Sequence, residues 1–344
     1  MAALTKYVDT AAAGTDSGDD WTNAYRTLTQ LGTYLSGKNF TTDGDNVTVY
    51  FRGGADTTSL SGNQTAIVVN SDVTNFIKLV MDGTNGSDKV TQTAIDTGKY
   101  HIIQAFGGIR LNTGYVEVDG LQIELTGSST FRYGIGTISV GGTIHVRNCI
   151  VKRSGTGSDQ HGIYFSSSTT GSIKNCIVYD FNGTSNTGIT ATSSGTQPTH
   201  RLRNNTVVNC TVGYQSGYED CDMKNCLAVS CTTDFVSNWY NTGGATDYNG
   251  YEGATAPSGG TNTNDVGNTA VDFTDEGSDD FTLAATDNEF HAAGIGTTES
   301  HVLATDIFGT SRASGTCSMG AVEYVAAGGG APLFTRHILN QLGS

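Results

Sequence analysis

The densest gathering of reactive side chains in the sequence is Asp159-Gln160-His161-Gly162-Ile163-Tyr164, with Lys152 and Arg153 ahead of it and Asp180 behind. Two carboxylates about 5 to 9.5 Å apart would hydrolyse a glycosidic bond, one as acid and the other as base or nucleophile. Elimination from a uronate would need a base and cations to hold the charge developing on the carboxylate. Asp159, His161 and Asp180 are therefore the candidate catalytic residues. A plainer reading competes and is favoured: His161 opens a strand and bonds to a loop, while Ile163 fills a core. Lysine and arginine together number only 18 in 344 residues, which counts further against a uronate lyase.

Other chemistry is thinner. Asp16, Asp19 and Asp20, then Asp43 and Asp45, then Asp272, Asp275, Glu276, Asp279 and Asp280 form acidic runs. None has the spacing of a calcium loop, and they read as solvated turns. Cysteines stand at 149, 176, 210, 221, 226, 231 and 317 with no CxxC pair, so neither a structural zinc site nor any cofactor is expected. Their odd number leaves at least one thiol free, which suits synthesis in a reducing compartment. Trp239-Tyr240, Tyr214 and Tyr218 read equally as a sugar-stacking platform or as cover for the end of a fold.

A formal net charge of -15 makes broad phosphate binding an unlikely role, since that needs a basic stripe, and no nucleic-acid partner is expected. No apolar run approaches the ~18 residues of a membrane helix, so no membrane insertion is expected. The chain has 46 glycines and 3 prolines, glycine being about twice its usual ~7% share, without the strict period of collagen. Thr, Ser, Asn and Gly separate short apolar runs, which is the texture of many short strands and turns. Fifteen tyrosines and thirteen phenylalanines argue against disorder.

The strands repeat. Val146-Arg147-Asn148-Cys149-Ile150-Val151, Ile173-Lys174-Asn175-Cys176-Ile177-Val178, Leu202-Arg203-Asn204-Asn205-Thr206-Val207 and Met223-Lys224-Asn225-Cys226-Leu227-Ala228 share one pattern. Val118-Asp119-Gly120-Leu121-Gln122-Ile123 carries glycine in place of the asparagine. The anchors 120, 148, 175, 204 and 225 lie 28, 27, 29 and 21 residues apart, and Gly134, Gly162, Gly188 and Gly213 mark a second column halfway between them. Each unit holds two or three strands and no helical pattern, so like residues stack in a parallel β-helix. The asparagine suits a corner in the left-handed conformation, where it can also pair with the asparagine one rung away. Cys149, Cys176 and Leu227 are expected to be interior residues. Cys210 and Cys231 each follow their rung's asparagine by six residues and should stack within disulfide range, with buried free thiols the favoured reading.

Earlier strands alternate less regularly, through Val47, Val49 and Phe51, then Ile77 and Leu79, then Ile102, Val116 and Val118, for roughly seven rungs between residues 45 and 235. An open β-helix end needs a cap. Ala24, Leu28, Leu31 and Leu35 make one apolar helical stripe for it. The expected organisation is an N-terminal strand and capping helix over 1–44, rungs over 45–240, a loop-rich closing element over 241–325, and a glycine hinge with an apolar tail over 326–344. Residues 240 to 265 read as a loop crossing out of the rod. In the tail Leu333, Phe334, Ile338, Leu339 and Leu342 follow helical spacing and cannot bury themselves alone, so they are the candidate binding residues for an assembly partner.

Three stretches resemble the right-handed parallel β-helix proteins of the pectin-lyase-like superfamily. They are Lys6-Tyr7-Val8-Asp9 with Asp20-Trp21-Thr22-Asn23-Ala24-Tyr25, the Asn-Cys-Ile-Val and Gly-Ile-Tyr-Phe rungs, and a close running from Asp280-Phe281-Thr282-Leu283 through Asp306-Ile307-Phe308-Gly309-Thr310-Ser311-Arg312 to Met319-Gly320-Ala321-Val322-Glu323-Tyr324. The resemblance covers residues 6 to 325 and implies the fold: all-β, a right-handed parallel β-helix with an N-terminal capping helix. It leaves function open, because this fold carries lyases, hydrolases, adhesins and viral spikes. The start Met1-Ala2-Ala3-Leu4-Thr5-Lys6-Tyr7 lacks the regions of a secretory signal, and with the tail this resembles phage-encoded members. The leading expectation is a virion-surface structural protein, a capsid decoration, spike or fibre. It would be homotrimeric as in viral relatives, held to other virion proteins by its tail and in contact with cell-surface polysaccharide. A polysaccharide depolymerase, lyase or hydrolase, and a secreted extracellular adhesin are the alternatives.

Overall fold

The computed structural model describes residues 3–58, 65–67, 71–112, 114–137, 142–166, 169–192, 200–216, 221–236, 246–257, 264–299 and 301–325. The tail residues Leu333, Phe334, Ile338, Leu339 and Leu342, and Tyr218, Trp239 and Tyr240, lie outside them. Among the described residues three parallel sheets run side by side along a right-handed β-helix. The chain visits them in the same order on each turn. The first sheet has eight strands, from Ala3–Asp9 and Asn46–Arg52 to Cys221–Lys224. The second has nine, from Ala55–Asp56 to Val266–Gly267, and the third seven, from Thr65–Ile67 to Thr233–Val236.

The corner between the first and second sheets is made by the repeated asparagine. Asn148, Asn175, Asn204 and Asn225 have φ of 55°, 51°, 55° and 58°, and Gly120 has 83°. This is the left-handed region, which asparagine tolerates and glycine enters freely. The side chains ladder over one step, Asn175 Nδ2 donating to Asn148 Oδ1 at 3.3 Å. Beyond that the ladder stops, because Asn225 turns to donate to Ile295 O at 2.7 Å in the closing element.

After the corner, cysteine points in, the next residue out and valine in again. Val151, Val178, Val207 and Ala228 stack in register inside the second sheet, facing Ile135, Ile163, Ile189 and Tyr214 of the third. Each such side chain removed from water contributes roughly 1.5–3 kcal/mol. The glycine column sets how close these walls come. A Cβ on Gly162 would lie 2.2 Å from Val178 Cγ1, and one on Gly188 would lie 2.4 Å from Val207 Cγ1. Cys149, Cys176, Cys210 and Cys226 are buried, and Cys210 and Cys231 are free thiols. Leu227 departs from expectation. It is buried on the outer face of the second sheet, with Ile150 and Ile177, beneath apolar residues between Val271 and Val322.

That outer face explains the closing element. Phe281, Leu283, Phe290, Ile307, Met319 and Val322 pack on Ile150, Ile177, Tyr179, Val208, Leu227 and Val229. Phe281 and Leu283 lie on an antiparallel pair, Phe273–Asp275 with Asp280–Leu283, and a second antiparallel pair joins Gly294–Ile295 to Thr316–Cys317. Buried Arg312 ties the element down, donating to Gly320 O at 3.0 Å, Asn175 Oδ1 at 3.3 Å and Glu323 at 2.9 Å. The described part of 240–265 does not leave the rod: Gly250–Tyr251 and Val266–Gly267 extend the second sheet in parallel. Neighbouring rungs donate and accept backbone bonds there, so a loop-like composition still supplies two short strands. At the other end helix α1, Leu28–Ser36, buries Leu28, Leu31 and Leu35 and starts at a capping box in which Gln30 N donates to Thr27 and the Gln30 side chain accepts from Thr27 N.

Asn204 tests the corner well, since its amide makes only a long 3.9 Å contact to the Cys317 thiol. Asn204→Ala should lower stability by about 1–2 kcal/mol through left-handed strain, and Asn204→Gly by distinctly less, in urea denaturation. Equal losses would show that the side chain, not the backbone, matters there.

Candidate functional site

With the second sheet covered, the first and third present their outer faces. On the third, Tyr133 opposes His161, which opposes Thr187, while Gly136 opposes Tyr164, which opposes Thr190. Gly136 makes room for the Tyr133 ring, whose Cδ2 lies 2.5 Å from where a Cβ would stand. Tyr133 then stacks on Tyr164 with centroids 4.6 Å apart and planes 21° from parallel. His161 completes the cluster at 5.7 Å from Tyr133 and 5.1 Å from Tyr164. Arg110 and Arg132 lie close enough to oppose, electrostatically, the rise that burial and Tyr164 impose on the Tyr133 phenol. Just before this strand Phe131 is 65% exposed with φ 51°, an unusual conformation for a bulky residue and an unusual position for an apolar one.

His161 is held for structure and neutrality. Its Nδ1 bonds Thr190 Oγ1 at 2.8 Å, and burial pushes its pKa down to about 4, only partly opposed by Asp159. Asp159 itself occupies a turn at φ 50°. Asp180 belongs to a different cluster, at the corner of the second and third sheets. It accepts from Asn209 Nδ2 at 2.8 Å and lies 3.7 Å from Lys152, which in turn bonds Asp279 of the closing element at 2.8 Å. Arg153 is buried and donates to Gln160 Oε1 and Gly157 O, both at 2.8 Å. The structure thus joins Asp159 to His161 and gives Asp180, Lys152 and Arg153 to bonds that hold rungs and closing element together.

The remaining sequence candidates also resolve. Tyr214 is no surface platform: it is fully buried, stacks on Phe235 at 5.2 Å and donates to Asn205 O and Leu227 O. Asp16 pairs with Arg26, Asp19 with Lys6 and Asp20 with Asn23. A groove of about 420 Å³ runs along the outer face of the first sheet past Tyr50, Lys78, Glu117 and Arg147. Across it Lys78 pairs with Glu117 at 3.0 Å and Arg147 with Asp119 at 2.8 Å. Sequence reasoning singled out Tyr164 with His161 but missed Tyr133, Phe131 and the two arginines. The available signal was alignment on the glycine column, which sets Arg132-Tyr133-Gly134-Ile135 beside Gln160-His161-Gly162-Ile163.

Two tyrosine rings, an imidazole and flanking guanidinium groups offer flat apolar faces edged by hydrogen-bonding atoms. Such a surface holds a sugar ring without needing charge transfer. No protein-family model matches the chain, and no curated protein matches it. Similar solved structures include the crystal structure of pectate lyase Pel9A, 13% identical, covering 93% of this chain and 96% of that chain with a TM-score of 0.40. A likeness that distant carries neither substrate nor activity across.

The neutral histidine has a measurable consequence. The unfolded chain takes up the His161 proton near pH 6.5 and the folded chain only near 4. Stability from this group is complete above the unfolded value and is lost as pH falls from 6.5 toward 4. Between pH 7 and pH 5 the wild type should therefore lose up to about 2 kcal/mol more than His161→Gln, read from denaturation midpoints at both pH values. Equal losses would mean that His161 is solvated.

Proposed function

We propose that this chain is a structural protein of virus particles, a β-helical decoration, spike or fibre that binds polysaccharide on its third sheet without cleaving it. The observation that carries the binding is the Tyr133–Tyr164 stack, presented on a rigid parallel ladder beside exposed Phe131. Strand-borne rings keep their geometry at low entropic cost, which is what a shallow sugar site requires. Against cleavage stand the neutral His161 and an Asp180 engaged by Asn209 and Lys152. The virion setting draws on the sequence resemblance to phage-encoded β-helices and on the apolar tail, which anchors the protein to other virion components in this reading. The homotrimer implied by that resemblance belongs to the same proposal.

Quantitative mass spectrometry of density-banded virus particles tests the setting. Hundreds of copies identify a capsid decoration, a handful a spike or fibre, and absence from particles overturns the virion role. Truncation after Ala327 should remove the protein from particles; full copy number after truncation would discard the anchoring role. For the glycan, Tyr133→Ala and Tyr164→Ala should each weaken retention on host-surface polysaccharide about tenfold, equivalent to ~1.4 kcal/mol. Release of new sugar ends by the wild type would replace this reading with a depolymerase.

A further inference from the structure

The parallel register does something to charge that composition conceals. The residue before each corner asparagine points outward from the first sheet, and there Arg147, Lys174, Arg203 and Lys224 oppose one another in one unbroken column. Adjacent strands are about 4.8 Å apart, so four cations follow one another at that step in a chain of net charge -15. Arg201 stands two residues earlier on the same face and is exposed. Like charges directly opposite destabilise a sheet unless something neutralises them.

Three of the column's cations have protein partners. Arg147 pairs with Asp119, buried Arg203 with Asp222, and Lys224 with Glu299 at 2.9 Å. Lys174 has none: among the described residues no carboxylate lies within 4 Å of its ammonium, although it is only partly exposed. Its surroundings are cationic, and burial followed by Arg203, Arg201 and Arg147 pushes its pKa down to about 8. The exposed His301 of the closing element faces the same group, its own pKa lowered by burial, Arg201, Lys174 and Arg203. A cation kept partly buried among cations costs folding free energy unless an anion accompanies it.

We propose that Lys174 and Arg201 form an oxyanion site, with Arg147 and His301 at its margins, that takes a carboxylate, sulfate or phosphate group from a ligand. The ligand's charge supplies the neutralisation that the column lacks. Lys174 provides a point charge, and Arg201 a planar fork suited to two oxygens. The site lies on the first sheet and is independent of the aromatic face on the third, so either can fail alone.

Titration of the full chain with sodium sulfate, phosphate and acetate at constant ionic strength, followed by NMR or calorimetry, tests the site. Saturable binding is expected, weakened at least tenfold by Lys174→Gln and several-fold by Arg201→Gln, and unchanged by Lys38→Gln or by Tyr164→Ala. Arg201 is exposed, so its variant reports even where the Lys174 variant fails to fold. A non-saturating response in the wild type, or undiminished binding by both Arg201→Gln and Lys174→Gln, overturns the proposal; Lys174→Arg, which keeps the charge, should retain binding. Tighter binding of oligosaccharides bearing sulfate or phosphate esters than of uronate oligosaccharides assigns the site to esters, and the reverse order assigns it to carboxylates.

Discussion

The regular part of this molecule hangs on the corner where the rungs anchored at 120, 148, 175, 204 and 225 leave the first sheet in a left-handed turn. A residue at φ 51–58°, or glycine at 83°, redirects the chain between two strands of one rung without inserting a loop. Because the turn has the same length in the rungs anchored at 120, 148, 175, 204 and 225, equivalent side chains there fall above one another, and the core becomes columns of valine, isoleucine and cysteine. Asparagine is the side chain that can occupy this conformation and still offer an amide to the next rung or to the closing element. The third side's glycine column then lets the opposite walls approach to ordinary contact distance.

Regular stacking also divides the surface into faces with different fates. The second sheet's outward residues include the apolar Ile150, Ile177, Tyr179, Val208, Leu227 and Val229, so residues of the closing element between Val271 and Val322 fold back over them and are clamped by Arg312. The outward residues of the other two sheets are polar, aromatic or charged, and these faces stay open only in part, since the closing element reaches over the first sheet at Arg203 and Lys224. Function on such a scaffold is a matter of which residue types a column accumulates. The third sheet gathers two tyrosines and a histidine over a glycine gap; the first gathers cations.

Burial governs the chemistry these columns can do. His161 is kept neutral by its surroundings and by a hydroxyl partner, which suits a binding surface better than proton transfer. The carboxylate that sequence placed beside it in role, Asp180, is committed to the seam between rungs and closing element. Lys174 is the contrary case, a cation left without a protein partner by the same register that pairs its neighbours.

The sequence by itself determined the coil. The asparagine and glycine columns have one period, and period is a property of the chain that needs no coordinates; the cap followed likewise from the stripe Leu28, Leu31 and Leu35. It also told correctly that Cys149 and Cys176 are interior, since they alternate with outward neighbours. Tertiary structure decided what faces what. Leu227 and Ile177 read as core in a repeat, but only the folded-back closing element shows that their cover lies outside the rod. Tyr214 reads equally as a sugar platform or as cover for the rod's end until the register sets it over Phe235 inside. The basic column stands in the aligned repeats, where Arg147, Lys174, Arg203 and Lys224 each precede the corner asparagine, but which of these cations meets a carboxylate was decided by folding, because Glu299 lies 75 positions from Lys224 and is set beside it only by the closing element.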